Sequence, residues 1–171
     1  MGASLFRGGI QQKPTPPLVR QPIVHDADLG AMIISSTCWA AALSSWLSAS
    51  RNDDRSVENL VQWFQVGKNG LDLGKFDQIA DAPFVRMNFE EISKAEFTWD
   101  YVSLKLHESA VYIILENANP AHALVLYAIT QKKDQDHEVW IMDPIQGYRV
   151  GSLSAFRERS PTFLIGVAKK G

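Results

Sequence analysis

The sequence predicts an α+β domain, with an N-terminal helical lobe packed on a mostly antiparallel β-sheet. Two observations lead there. From Cys38 to about residue 80, apolar residues recur at three- and four-residue spacing, the period of a helix with one buried face. From Phe84 onward they gather into short runs rich in β-branched and large apolar side chains, the signature of strands. Helices first and strands afterwards argue for an α+β arrangement. A length of 171 residues, 46% of them apolar and 21% charged, suits one domain with a substantial core.

Residues 1–24 read as a flexible tail or linker, and 25–171 as the folded domain. Gly8-Gly9, Gln11-Gln12 and Lys13-Pro14-Thr15-Pro16-Pro17 show no periodicity, and proline removes backbone donors. The first helix is expected from Cys38 to about Ser50, capped by Ser36 or Thr37. Trp39, Ala42, Leu43, Trp46 and Leu47 form its apolar face. Arg51-Asn52-Asp53-Asp54 breaks it. Ser56 caps a second helix over 57–66, with Leu60, Val61 and Phe64 inward and Gly67 and Gly70 marking its end. A short helix at about 73–80 stops before Pro83.

Phe84 to Phe89 reads as the first strand. Thr98 caps a helix carrying Tyr101, Leu104 and Leu106. Strands follow at 110–115, 123–129, 139–142 and 163–168, with a short helix at about 153–157. Trp39, Trp46, Trp63 and Trp99 read as core or lobe-interface residues rather than platforms for a ligand.

Composition narrows the function. A net charge of −2 argues against nucleic acid or an anionic membrane as the main partner. No run of about 18 apolar residues exists, so no membrane insertion is expected. Residues 1–7 lack the apolar core of a signal peptide, and Phe6 stands where myristoylation wants Ser or Thr. The expectation is synthesis in the cytoplasm, with delivery by a dedicated secretion machine left open. One cysteine excludes an internal disulfide and a multi-cysteine zinc site. His25 with Asp26 and Asp28 is too local a cluster for a metal site, so neither metal nor cofactor is expected.

The lone cysteine is the most telling residue. Cys38 precedes Trp39 where a helix is expected to begin, and free backbone donors there favour a thiolate, the nucleophilic form. His122 opens the apolar strand His122-Ala123-Leu124-Val125-Leu126-Tyr127 and directly follows a polar loop containing Asn117 and Asn119. Asp143 ends the strand Val139-Trp140-Ile141-Met142, before Pro144-Ile145-Gln146-Gly147. These two strands are expected to pair across the charged hairpin between them. An aspartate beside an imidazole holds its tautomer and stabilises its charged form. A thiol, an imidazole and a carboxylate would thus share one cleft between helix and sheet.

These segments resemble the papain-like cysteine peptidases. Thr37-Cys38-Trp39-Ala40-Ala41 is similar to the nucleophile motif, His122 to Tyr127 to the histidine strand, and Trp140 to Gly147 to the Asp-Pro-x-x-Gly element of the compact bacterial branch. That branch holds the double-glycine-leader peptidases of bacteriocin exporters and related secreted effector proteases. The resemblance covers about residues 25–170. It implies that Cys38 is the nucleophile, His122 the general base and then acid, and Asp143 the orienter, with no cofactor. It also implies a protein or peptide substrate, a role as a bacterial effector or toxin, and room for an inhibitor or immunity protein as a partner.

The resemblance makes the Cys38 backbone amide one oxyanion donor. The family's glutamine, five or six residues before the cysteine, is replaced here by Ile33 or Met32, and Gln21 is too distant to assume. The Ser36 or Thr37 hydroxyl, or a loop amide, is the substitute the sequence offers. Two other functions stay open: a deamidase or acyltransferase using the same thioester, and a peptide-binding module of weak catalytic power.

Overall fold

The computed structural model describes residues 30–65, 71–116, 122–131 and 136–170, with side chains from Thr37 onward. At its centre is a six-stranded sheet: β1 (Met87–Ser93), β2 (Val111–Leu115), β3 (His122–Thr130), β4 (Glu138–Asp143), β5 (Gly147–Ser152) and β6 (Thr162–Ala168). Their spatial order is β1-β6-β2-β3-β4-β5, and every pairing is antiparallel. Helices α1 (Gly30–Ser50), α2 (Val57–Phe64) and α3 (Phe76–Ala80) build a core on one face. Helices α4 (Trp99–Glu108) and α5 (Leu153–Arg157) build a second core on the other. The expected α+β architecture is therefore present.

Covering both faces explains the sequence of the central strands. All of β2 and nearly all of β3 are buried, so Val111 to Leu115 and Ala123 to Ile129 are continuously apolar instead of alternating. α1 lies across this centre. Trp46 is fully buried, and its Nε1 donates to the Ala110 carbonyl at 2.8 Å. Arg51, just past the helix, donates from Nε to the Val85 carbonyl and from Nη2 to the Lys169 carbonyl, each at 3.0 Å. These bonds pin the C-terminal end of α1 to the β1–β6 edge and set the line along which the helix runs back toward β3.

Several local expectations need correction. α1 begins at Gly30, so Ser36 and Thr37 lie inside the helix and do not cap it, and Cys38 is an interior residue. No proline interrupts 30–50, and each further helical residue adds a backbone bond once a nucleus exists. The first strand starts at Met87 instead of Phe84. The Val85 and Arg86 amides both bond back to the Ala82 carbonyl, and Arg86 has φ 45°, a left-handed conformation far from the extended backbone of a strand.

α2 ends at Phe64, where Gln65 takes the left-handed cap, while Gly67 and Gly70 lie outside the described residues. β5 was not anticipated: an edge strand paired on one side only, mostly exposed, needs no apolar run. Among the tryptophans, Trp39 and Trp46 are buried as expected, but Trp63 is 55% exposed, its ring edge-on to Phe84 at 5.2 Å. The expected tail, residues 1–24, lies outside the described residues.

Candidate active site

Cys38 lies on α1, His122 is the first residue of β3 and Asp143 the last of β4. Because β3 and β4 are antiparallel neighbours, the start of one stands beside the end of the other. That places His122 Nε2 at 2.9 Å from Asp143 Oδ2. α1 packs over β3 and brings Cys38 to the same corner, where its side chain is hydrogen-bonded to the imidazole. With Nε2 engaged by Asp143, Nδ1 is the ring nitrogen left for the sulfur.

Asp143 is 2% exposed, and its carboxylate is fully committed. Oδ2 faces the imidazole, while Oδ1 accepts the Ile145 amide at 2.8 Å and the Gln146 amide at 3.2 Å. This is the local turn that an Asp-Pro sequence favours. Gly147 closes it at φ 81°, in a region where a side chain would be strained, and returns the chain to pair with Asp143 itself. The motif after Asp143 thus does two jobs: it makes the hairpin and it fixes the carboxylate. Burial raises the Asp143 carboxyl, but the His122 bond, the imidazolium charge and the two amides outweigh it and hold the group below the usual carboxylate range.

Burial pulls the His122 imidazole down, but bonds to Asp143 and Cys38 and the negative charge of both prevail. They push it up to about 9. The folded value lies above the ordinary imidazole value of about 6.5. Its contribution to stability is therefore complete below about pH 6.5 and is lost as pH rises through about 9. The melting temperature is expected to fall between pH 6.5 and 9.5, and a His122→Gln variant to lack that fall. A flat profile in the unaltered chain would contradict the ion pairing described above.

The interior position of Cys38 changes the basis of its expected reactivity. A helical N–H at position 38 faces the carbonyl of Ile34, four residues back. The helix dipole acts within the first turn only. The imidazolium, and not the helix end, is the positive charge beside the sulfur.

Of the other candidates, Thr37 is buried next to Cys38. The side chains of Ser36, Met32 and Ile33, and residues Gln21, His25, Asp26, Asp28, Asn117 and Asn119, fall outside the described residues. His107 sits on α4, on the opposite face of the sheet, and His137 stacks on Trp99 with ring centroids 4.2 Å apart. Among the described residues, no group of three or more His, Cys, Asp or Glu side chains is arranged to hold a metal ion. The Ile145 and Gln146 amides escaped the sequence reading, although the Asp-Pro-x-x-Gly spacing was their signal.

Residues 24–160 match the model of the family described as papain-like cysteine protease AvrRpt2. The chain belongs to the AvrRpt2 family. It is therefore a thiol protease, a hydrolase acting on peptide bonds. No curated protein sequence matches it.

Solved structures place the AvrRpt2-family chain in a wider fold group. The peptidase domain of Streptococcus ComA, a bi-functional ABC transporter involved in a quorum sensing pathway, superposes with a TM-score of 0.61 at 16% identity, covering 91% of this chain and 100% of that one. A double glycine motif protease from an AMS/PCAT transporter, solved in complex with the leader peptide, gives 0.55 at 17% identity over 93% and 100%. At such identities the likeness establishes the papain-like fold. Among the described residues of this AvrRpt2-family member, no helix is long and apolar enough to cross a membrane.

Proposed function

We propose that this thiol protease cuts a peptide bond of a protein or peptide substrate with Cys38 as nucleophile, His122 as general base and acid, and Asp143 as orienter. The unbroken line of hydrogen bonds from Cys38 through His122 to Asp143 supports this reading above all. The Cys38 proton passes to His122, whose positive charge Asp143 stabilises. The thiolate adds to the scissile carbonyl carbon. Collapse of the tetrahedral adduct breaks the C–N bond, and His122 returns its proton to the leaving amine. Water, deprotonated by His122, then hydrolyses the thioester and restores the thiol.

The oxyanion needs donors. The Cys38 amide serves only when the helical turn before it opens and releases its N–H from the Ile34 carbonyl, and Thr37 and Ser36 hydroxyls are the candidates beside it. A peptide in this cleft is in keeping with the leader peptide bound by the similar double glycine motif protease. On the resemblance to secreted effector proteases, we assign the enzyme a role as a delivered effector or toxin, open to control by an inhibitor or immunity protein.

The test is proteomic. Cells expressing the unaltered chain should display new protein N-termini that cells expressing Cys38→Ala lack. Ammonia release without new N-termini would replace the peptidase reading by a deamidase. Equal biological effect of both chains would replace it by a binding module.

A further inference from the structure

We infer that Tyr112 is a positioning residue for Cys38: its hydroxyl, donated from β2 to the carbonyl of Trp39, locks the nucleophile-bearing turn of α1 against the strand that also registers His122. The inference rests on the reading of Cys38 as nucleophile and adds a residue to it.

Tyr112 is the polar side chain of an otherwise apolar strand, Val111-Tyr112-Ile113-Ile114-Leu115. It is fully buried, and its Oη lies 2.9 Å from the Trp39 carbonyl oxygen. That carbonyl already accepts a helical N–H at i+4, so the hydroxyl uses its second lone pair. A core position that needed only volume would be served by phenylalanine, with no polar group to bury. The bond reaches the carbonyl of Trp39, the residue directly after Cys38. The ring is fixed by its place on β2 and by this bond, and it also stacks on Phe76 of α3 at 5.8 Å and 21° between planes.

β2 is also the reference for the base. It pairs with β3 in the register Leu115 opposite His122. One strand therefore carries the partner of His122 and the anchor of the turn after Cys38, which ties thiol and imidazole to a common frame. Burial, and then the nearby Cys38, raise the Tyr112 phenol well above its ordinary value, so it stays a neutral donor throughout the working range.

The chain has one thiol, so alkylation by iodoacetamide reports on Cys38 alone. The quantity to read is the alkylation rate at pH 6 divided by that at pH 9, which reflects how well the imidazolium supports the thiolate. Tyr112→Phe leaves the Trp39 carbonyl with its helical partner, orphans no buried group, and should melt within about 3 °C of the unaltered chain. Its ratio should fall about fivefold or more, since a slightly misplaced thiol loses its ion pair.

Phe76→Leu is the packing control, with a lower melting temperature and an unchanged ratio. An unchanged ratio in Tyr112→Phe, or an equal fall in Phe76→Leu, overturns the inference. A low ratio in the unaltered chain overturns the nucleophile reading and this inference together. A high ratio lost only in Tyr112→Phe supports the inference even if no cleaved protein is found.

Discussion

Replacing His122 by glutamine is expected to slow peptide-bond cleavage by about 10⁴-fold or more, with the fold kept. The side-chain amide can still donate to Asp143 Oδ2, so the buried carboxylate is not left without a partner. It cannot take the Cys38 proton or return one to the leaving amine, and it carries no charge to support the thiolate. Both roles of the imidazole disappear in one substitution. The measurement is a steady-state rate on any cleaved substrate, with circular dichroism as the control for folding. A loss of less than about tenfold would show that another group is the base.

Asp143→Asn is the second large effect, at about 10²- to 10⁴-fold in kcat. The hydrogen bonds of Asp143 fix its direction. The Ile145 and Gln146 amides are donors, so the asparagine oxygen must turn to them. Its NH₂ then faces His122 Nε2, which in turn must become an acceptor. The ring proton moves to Nδ1, the side facing Cys38, and the imidazole presents a donor where a base is required. The turn stays satisfied, so stability should change far less than activity. The imidazole should also drop from its raised value, because the carboxylate that contributes to raising it is gone. The ring shifts of His122, followed by NMR across pH, would show the drop. An unchanged titration would mean that Asp143 does not face the imidazole in solution.

Much of this candidate site is legible in the sequence. Cys38 stood out as a single thiol in an apolar helix, and His122 and Asp143 as polar residues at the mouths of two core strands. These are local statements, and strand periodicity with turn chemistry suffices for them. The pairing of the two strands followed from the charged segment between them.

What failed was also local, but for reasons that lie elsewhere in the chain. Ser36-Thr37 looks like a helix cap, yet α1 runs through it from Gly30. Capping residues mark a helix start only when the residues before them leave the helix, and Ala31 to Ile34 do not. Phe84 to Arg86 has strand composition but turns back on Ala82. β5 has almost no strand composition but pairs with β4 along its length, because the hairpin after Asp143 delivers it there. Backbone pairing with a neighbour can override weak side-chain preference.

By itself, then, the sequence determined the class of the fold, the one thiol in the chain and the two polar residues that stand at the mouths of core strands. Periodicity, turn residues and residue chemistry are properties of neighbours in the chain. Only the tertiary structure decided how Cys38 is supported. It withdrew the helix end as the source of positive charge and left the imidazolium in its place. It set Asp143 Oδ2 against His122 and joined the Tyr112 hydroxyl to the Trp39 carbonyl. Such bonds join groups tens of residues apart, and their geometry exists only once sheet register and helix packing bring those groups within about 3 Å.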